Sequence, residues 1–206
     1  MDKPTRIIFS GEGGQGVQTI AEIMARAGHL SGHRSTYLPN YGVEQRGGVS
    51  IAFVQLCGCP EEATSCSCNI GFPKFKKADV MVVLCERAIE RTRRYVKKEA
   101  LYIYDNSLIS NALLAGISCP KIALPATEIA KKKLTPRVFN VVLLGAVIAY
   151  TGVIDKKYII KAIEEQFAEK IKKNPEIKHL NRRAFDIGYE VMSDIIRNAK
   201  KERVSV

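Results

Sequence analysis

The hydrophobic pattern of the chain alternates between short apolar runs and longer amphipathic segments. The short runs predict strands, and the segment that begins at Val17 has apolar residues at helical spacing up to Gly32. The second strand is expected to stop at Pro39, and the run at 80–85 is apolar enough for a strand buried on both faces. The six predicted strands are 6–10, 34–38, 49–56, 80–85, 101–104 and 122–124.

Strands that alternate with helices in this way predict a three-layer α/β/α fold with a mostly parallel sheet. From Pro136 onward the pattern changes to helices alone. Segment 138–150 is apolar on nearly every side, so we expect it to be a buried helix. Asp155 can cap the amphipathic helix that follows.

That amphipathic helix is expected to run to about residue 171, and after Pro175 the helical pattern resumes at 184–199. No Gly/Ser-rich linker separates the helical third from the rest of the chain. We therefore predict a single domain over 1–206, in which a helical C-terminal part at 136–206 packs on an α/β core at 1–135.

The formal net charge of +11 is unevenly distributed. Residues 1–70 contain five Lys/Arg and six Asp/Glu, a net charge of −1, whereas residues 71–206 carry a net charge of +12. A basic excess can attract nucleic acid, an acidic protein or a phosphorylated cofactor. The lysines lie in short clusters on polar helix faces without interleaved aromatic residues, so we expect a solvated surface and no nucleic-acid binding.

Targeting signals and cysteine use indicate the compartment. The longest apolar run, 141–150, has ten residues, whereas a membrane-spanning helix needs about 20. The N-terminus lacks the pattern of a signal peptide. We expect a cytoplasmic protein without a membrane partner, in which the six cysteines are thiols or metal ligands rather than disulfides.

A glycine-rich loop follows the first predicted strand, as in Rossmann folds. Gly11, Gly13 and Gly16 fit the pattern G-x-G-x-x-G between a strand and a helix, where the backbone and the helix N-terminus suit a phosphate or carboxylate. A dinucleotide site also needs an Asp or Glu about 20 residues later, and the stretch 37–40 has none. The loop predicts anion or nucleotide contact, and the alternative is that the glycines only permit close packing of strand and helix.

A second polar segment, 40–48, follows the second strand and should emerge at the same sheet edge. There Arg46, beside Gly47 and Gly48, can present its planar guanidinium to phosphate or carboxylate. Alternatively, Arg46 pairs with Glu44 or with another subunit. The segment alone does not separate these alternatives.

Five segments, in this order, resemble the gamma subunit or gamma domain of the 2-oxoacid:ferredoxin (acceptor) oxidoreductases. The first is GEGGQGV at the opening of the first helix, and the second is YGVEQRGG some two dozen residues later. The others are KADVMVVL at 77–84, YIYDNSLI at 102–109 and NVVLLGA at 140–146. The resemblance spans about residues 6–154, three quarters of the chain.

The resemblance implies an enzyme that converts a 2-oxoacid and coenzyme A into acyl-CoA and carbon dioxide and passes two electrons to ferredoxin. Thiamine diphosphate and iron–sulfur clusters would do this chemistry in partner subunits. The gamma part would pack against them and help form the coenzyme A side of the site. Expected partners are alpha and beta subunits and a ferredoxin-like delta subunit or ferredoxin, and the isolated chain is expected to be able to dimerise. The substrate 2-oxoglutarate is slightly favoured over pyruvate.

Site residues follow from the same motifs, and no catalytic residue is expected in this chain. The glycine loop would supply backbone N–H groups, and Gln15 an amide, to a phosphate or to a partner subunit. Tyr41, Glu44 and Arg46 would shape the second segment. The implied cofactor-binding residues are Gly11, Gly13, Gly14, Gln15, Gly16, Tyr41, Glu44, Arg46, Gly47 and Gly48.

Four cysteines depart from the family pattern. Cys57, Cys59, Cys66 and Cys68 form two C-x-C pairs separated by six residues, and four thiolates could bind zinc, although C-x2-C is the commoner spacing. A labile disulfide or four free thiols are the alternatives. The remaining two cysteines, at positions 85 and 119, are expected to be small buried hydrophobic residues.

Three functions remain open from the sequence. The leading one is a required subunit of a 2-oxoacid oxidoreductase that is inactive in isolation. The second is a stand-alone NAD-binding Rossmann dehydrogenase, which would need its own acid–base residue and a nicotinamide site. The third is a scaffold or metal-binding module, which the cysteine segment suggests.

Overall fold

The structure is a computed structural model that describes residues 3–42, 47–58 and 68–204. The chain divides into two compact units, Met1–Pro125 and Ala126–Val206. The first contains the sheet and the second is helical. The division lies before the predicted one at residue 135, because helix α3 (Ala126–Lys133) belongs to the second unit. The packing of a helical part on the core as a single domain stays a prediction.

The first unit is built on a six-stranded sheet with the order β2-β3-β1-β4-β5-β6. Strands β1, β4, β5 and β6 are parallel, and β3 is antiparallel to its neighbours β1 and β2. The predicted α/β fold with a mostly parallel sheet is confirmed. The strands are β1 (Thr5–Glu12), β2 (Arg34–Tyr41), β3 (Val49–Cys57), β4 (Val80–Val83), β5 (Leu101–Tyr104) and β6 (Lys121–Ala123).

The expected stop of β2 at Pro39 is wrong, since the strand continues to Tyr41. Pro39 is in register with Ala52 of β3, and β2 is the edge strand of the sheet. Proline lacks a backbone N–H, and an edge strand tolerates this because one side of its ladder needs no partner. The strand therefore carries the chain to Tyr41 at the sheet edge before the second polar segment begins.

Helices cover both faces of the sheet. Because successive side chains of a strand point to opposite faces, Ile8 and Phe9 of β1 enter different core layers, and both are fully buried. Ile8 clusters with Ala88 of α2 (Glu86–Thr92). On the other face, α1 (Val17–Leu30) packs on β3, β2 and β1 with a stripe of buried apolar residues at helical spacing.

The second unit contains five α-helices and one short 3-10 helix, Pro136–Val138, within its described residues 126–204. The predicted helix from 155 to about 171 is two helices that meet at Phe167. Asp155 occupies the N-cap position of the first, as expected, but its side chain makes no capping hydrogen bond. The last predicted helix begins earlier than expected, directly after Pro175, where proline suits a helix start. After α3, the helices are α4 (Phe139–Thr151), α5 (Lys156–Gln166), α6 (Ala168–Lys173) and α7 (Glu176–Val204). None of the helices in the described ranges is long and apolar enough to cross a membrane.

Helix α4 is buried along most of its length, as predicted, and packs extensively against α7. Two glycines permit this contact. A Cβ atom on Gly145 would lie 2.1 Å from the carbonyl oxygen of Phe185, and one on Gly188 would lie 1.8 Å from that of Val142. The two helix backbones therefore touch at a point where no other residue type fits without movement.

Candidate functional site

The carboxyl ends of β1 and β4 form the switch point of the sheet. From β1 the chain passes through α1 to β2 on one side, whereas from β4 it passes through α2 to β5 on the other. Ligands of open α/β sheets bind at such a point, outside the carboxyl ends of the strands. The glycine loop between β1 and α1 lies at this edge.

Two glycines of the loop adopt the left-handed conformation that other residues rarely adopt. Gly14 has φ +99°, and Gly16, the N-cap residue of α1, has φ +74°. A Cβ atom on Gly14 would meet no atom within 4 Å, so the backbone there is open to an approaching group. The first N–H groups of a helix have no intrahelical partner, and together with the helix dipole they favour an anion.

Gly11 serves packing instead. A Cβ atom on Gly11 would lie 2.5 Å from Oε1 of Gln15, 2.9 Å from Cγ2 of Val17 and 3.0 Å from Cβ of Leu84. The close approach of β1, α1 and the end of β4 therefore requires glycine here. The two interpretations of the glycine pattern thus apply to different residues, packing at Gly11 and an open backbone at Gly14.

The side chain of Gln15 lies inside the loop. Its Oε1 accepts a hydrogen bond from the backbone N–H of Glu12 at 2.7 Å, and its Nε2 donates to the carbonyl oxygen of Leu84 at 3.2 Å. The amide thereby joins the carboxyl ends of β1 and β4. The expected contact of Gln15 with a phosphate would have to use its remaining N–H and stays a prediction.

The structure brings the glycine loop and the second polar segment together. The N–H of Gly13 donates to the carbonyl oxygen of Gly48 at 3.0 Å. Gly47 has φ +78°, and a Cβ atom there would meet nothing within 4 Å. Tyr41 is the last residue of β2, in register with Ser50. The predicted site residues Glu44 and Arg46 lie outside the described residues.

The structure adds Arg87, which sequence reasoning missed. Its Nη1 donates to the carbonyl oxygen of Gly47 at 2.9 Å, and its Nε lies 3.8 Å from Oε1 of Glu12. The Arg87 side chain is 70% exposed, so its guanidinium offers further donors to a carboxylate or phosphate. The sequence offers one hint of this, because Arg87 follows a buried strand and therefore lies near the carboxyl edge of the sheet, but no motif includes it.

Cys85 lies beside this edge, at the N-cap of α2. Burial raises the pKa of the Cys85 thiol above its ordinary value, and burial does the same to the pKa of Cys119. Both thiols therefore stay protonated at neutral pH, and a protonated thiol is a weak nucleophile. Both residues are buried, as expected from the sequence.

The expectation of thiols or metal ligands rather than disulfides is wrong for Cys57 and Cys68, where the structure has the disulfide alternative. Cys57 and Cys68 are joined by a disulfide with a Cα–Cα distance of 5.8 Å, and Cys59 and Cys66 lie outside the described residues. A disulfide sulfur is no thiolate, so the four-cysteine zinc site remains a prediction for the reduced chain only. Within the described ranges, no cluster of three or more His, Cys, Asp or Glu residues could hold a metal ion.

Chain purified without reductant should yield a linked Cys57–Cys68 peptide on non-reducing digestion. Reduction should lower the free energy of unfolding by about 3 kcal/mol, because a closed loop of this length restricts the unfolded chain. Double replacement of Cys57 and Cys68 by serine is the matched control, since its stability should not respond to reductant.

The zinc hypothesis is tested by the metal content of chain purified under reducing conditions. Stoichiometric zinc would favour the hypothesis, and less than about a tenth of an equivalent would contradict it.

These features define an α/β domain in which two glycine-bearing loops meet at the switch point of a mostly parallel sheet. The family model for pyruvate ferredoxin/flavodoxin oxidoreductase matches residues 6–191, and the chain belongs to this family. The resemblance seen in the five sequence segments is thereby confirmed.

Two curated relatives match over most of their length. The chain is 31% identical to the 2-oxoglutarate synthase subunit KorC of Methanocaldococcus jannaschii, with 92% of this chain and 94% of that protein covered. It is 32% identical to the pyruvate synthase subunit PorC of Methanothermobacter thermautotrophicus, with 82% and 89% covered.

Solved structures share the fold. The gamma subunit of keto/oxoacid ferredoxin oxidoreductase from Geobacter sulfurreducens matches with a TM-score of 0.72 and 27% identity, over 91% of this chain and 98% of that one. The 2-oxoglutarate:ferredoxin oxidoreductase from Magnetococcus marinus, with 2-oxoglutarate, coenzyme A and succinyl-CoA bound, matches with a TM-score of 0.77 over 95% of this chain and 32% of that one. At 21% identity the second likeness shows the fold alone.

Proposed function

We propose that this chain is the gamma subunit of a multi-subunit 2-oxoacid:ferredoxin oxidoreductase. The assembled enzyme converts a 2-oxoacid and coenzyme A into acyl-CoA, carbon dioxide and reduced ferredoxin. In this proposal the thiamine and iron–sulfur chemistry belongs to partner subunits, and the isolated chain is inactive. The gamma subunit contributes to assembly and to the coenzyme A side of the site.

The observation that carries the coenzyme A assignment is the junction of the two loops at the switch point. The Gly13–Gly48 hydrogen bond places the open backbone of the glycine loop beside the segment that Arg87 contacts. Coenzyme A carries a pyrophosphate and a further phosphate, and a helix N-terminus with an adjacent guanidinium suits such groups. The M. marinus enzyme has coenzyme A bound, but that likeness extends to the fold alone, so the assignment rests on the loop junction in this chain.

The 2-oxoacid is chosen elsewhere in this proposal, beside the thiamine in a partner subunit. The 2-oxoglutarate and pyruvate synthase relatives are 31% and 32% identical to this chain, so identity does not separate them. We propose 2-oxoglutarate as the substrate to test first, because the KorC match covers 92% of this chain, against 82% for the PorC of M. thermautotrophicus and 90% for the PorC of Methanothermobacter marburgensis.

The subunit assignment is tested by purifying the tagged chain from its own cells without oxygen. We expect a brown preparation with iron–sulfur absorbance, together with thiamine-binding and ferredoxin-like chains identified by mass spectrometry. The complex should reduce ferredoxin with a 2-oxoacid and coenzyme A. A colourless chain that is recovered alone and binds NADH tightly would contradict the assignment and favour the dehydrogenase.

In the assembled enzyme, replacement of Arg87 by glutamine should raise the KM for coenzyme A by about fivefold to tenfold, because a charged hydrogen bond contributes about 1.5–3 kcal/mol before solvent screening. Release of carbon dioxide from a carboxyl-labelled 2-oxoacid should persist. Arg91→Gln, an exposed change on the same helix, is the control and should leave the KM unchanged. The sequence predicts the same effect for Arg46→Ala. An unchanged KM for both Arg46 and Arg87 variants in an intact complex would overturn the coenzyme A assignment.

A further inference from the structure

A groove of about 570 Å³ lies at the amino edge of the sheet, opposite the glycine loop. Its lining combines three aromatic residues, Phe72, Phe75 and Tyr95, with four cations. The cations are Lys74, Lys76, Lys77 and Arg94. No acidic residue lines this amino-edge groove among the residues that the structure describes.

A second, polar cleft of about 280 Å³ shares Lys77 with the amino-edge groove. It adds three cations, Arg93, Lys97 and Lys98, so that seven Lys and Arg side chains line the two cavities together. Two of the seven pair with carboxylates, Lys97 with Asp79 and Arg93 with a glutamate at 3.6 Å. The surface is therefore strongly positive over an extended area.

The ammonium group of Lys77 is held by two backbone hydrogen bonds. Its Nζ donates to the carbonyl oxygens of Arg94 at 3.1 Å and Val96 at 2.6 Å. Carbonyl acceptors orient an ammonium group without neutralising its charge. Lys77, which lines both cavities, is therefore a cation in a fixed position. The side chains of the neighbouring exposed lysines can change conformation to contact a partner.

The aromatic part of the groove has a rigid floor and one projecting ring. Phe75 is 7% exposed and packs edge-on against Phe53 with ring centroids 5.3 Å apart. Phe72 is 68% exposed, yet its backbone is fixed because the Gln55 amide donates to the carbonyl oxygens of Phe72 and Pro73. An exposed aromatic ring on an ordered backbone is typical of an interaction site.

We propose that the amino-edge groove binds an extended acidic segment of a partner protein. Carboxylates of the segment would pair with the lysines and arginines, and one apolar side chain would pack against Phe72. Electrostatic complementarity of this kind steers association and sets specificity. Because the groove lies opposite the glycine-loop edge, this proposal does not depend on the coenzyme A assignment.

Single-stranded nucleic acid suits the groove less well than an acidic polypeptide. Proteins that bind single strands stack successive bases on aromatic faces. Here Phe75 and Tyr95 are buried, and only Phe72 presents an exposed ring. The second cleft, which shares Lys77 with the groove, also extends the cationic lining beyond the aromatic patch, and this suits a chain of carboxylates.

Binding is tested with the full chain and a fluorescent dodecapeptide that has six Asp or Glu residues around one central leucine. We expect binding about tenfold weaker for Lys74→Glu/Lys76→Glu and about fivefold weaker for Phe72→Ala, with a strong dependence on salt. These residues are exposed, so folding should be retained. The matched control is Lys131→Glu/Lys133→Glu on the exposed basic end of α3, which should change binding by less than about twofold.

Three results would overturn the proposal. The first is an equal loss of binding in both double-lysine variants, because it would show a diffuse charge effect. The second is equal affinity for a peptide with Asn and Gln in place of the acids. The third is stronger competition by oligothymidylate than by unlabelled peptide, which would make nucleic acid the occupant. In cells, a photo-crosslinking residue at position 72 should capture an acidic segment, and capture of a basic one would also contradict the proposal.

Discussion

Replacement of Gly188 by alanine should destabilise the helical unit by about 3 kcal/mol, because the added methyl group overpacks a contact between two backbones. The new Cβ would lie 1.8 Å from the carbonyl oxygen of Val142, so α4 and α7 must separate. In an exposed helix the same change would stabilise by about 1 kcal/mol. The sign of the change in the free energy of unfolding therefore distinguishes a close helix contact from an exposed helix position. Urea unfolding followed by circular dichroism, with amide exchange of α4 and α7, measures it.

Gly145 on α4 provides a second test of the same helix contact. Gly145→Ala should be destabilising as well, since its Cβ would lie 2.1 Å from the carbonyl oxygen of Phe185. Both variants separate the same two helices, so the double variant should lose less stability than the two single losses together, by at least about 0.5 kcal/mol. Strict additivity would show that the two glycines do not share one contact.

An exposed position on the same helix provides the control. Asn198 lies on α7 and is exposed, and alanine there should change stability by only a few tenths of a kcal/mol, in the stabilising direction. Faster amide exchange in Gly188→Ala but not in Asn198→Ala would assign the loss to the helix contact. A Gly188→Ala variant as stable as the unchanged chain would contradict the close approach of α4 and α7.

The strands of the sheet could be predicted from the sequence because a strand is marked by a short apolar run whose pattern reflects the burial of its two faces. Strand β5 was predicted with its observed bounds, and β4 was recognised from a run buried on both faces. The end of β2 was wrongly predicted at Pro39 because a local rule ends a strand at proline. In the sheet, β2 is an edge strand, so the N–H that proline lacks is not needed for pairing. That position depends on the order of the strands, which no local pattern contains.

The candidate site was predictable in place but only partly in detail. Two glycine motifs after consecutive strands of the sequence indicated one edge of the sheet, and the hydrogen bond between Gly13 and Gly48 joins them there. Arg87 was missed because a lone arginine at the start of a helix has no motif. The internal role of Gln15 was also missed, because it depends on the distance between the ends of β1 and β4.

Replacement of Gln15 by leucine should lower the free energy of unfolding by about 2–4 kcal/mol, because two hydrogen-bonding backbone groups lose their partner at nearly constant side-chain volume. The Glu12 N–H and the carbonyl oxygen of the buried Leu84 are these groups. The ends of β1 and β4 should then open locally. We expect faster amide exchange at Glu12 and in the glycine loop, measured beside the unfolding curve.

Asn198→Leu, an exposed amide-to-leucine change on α7, is the control and should leave both measurements unchanged within about 0.5 kcal/mol. In the assembled enzyme, Gln15→Leu should also raise the KM for coenzyme A, because the open backbone at Gly14 depends on the loop that Gln15 holds. Unchanged exchange at Glu12 together with a raised KM would contradict the internal role. That result would instead assign the Gln15 amide to the bound phosphate, as the motif alone implies.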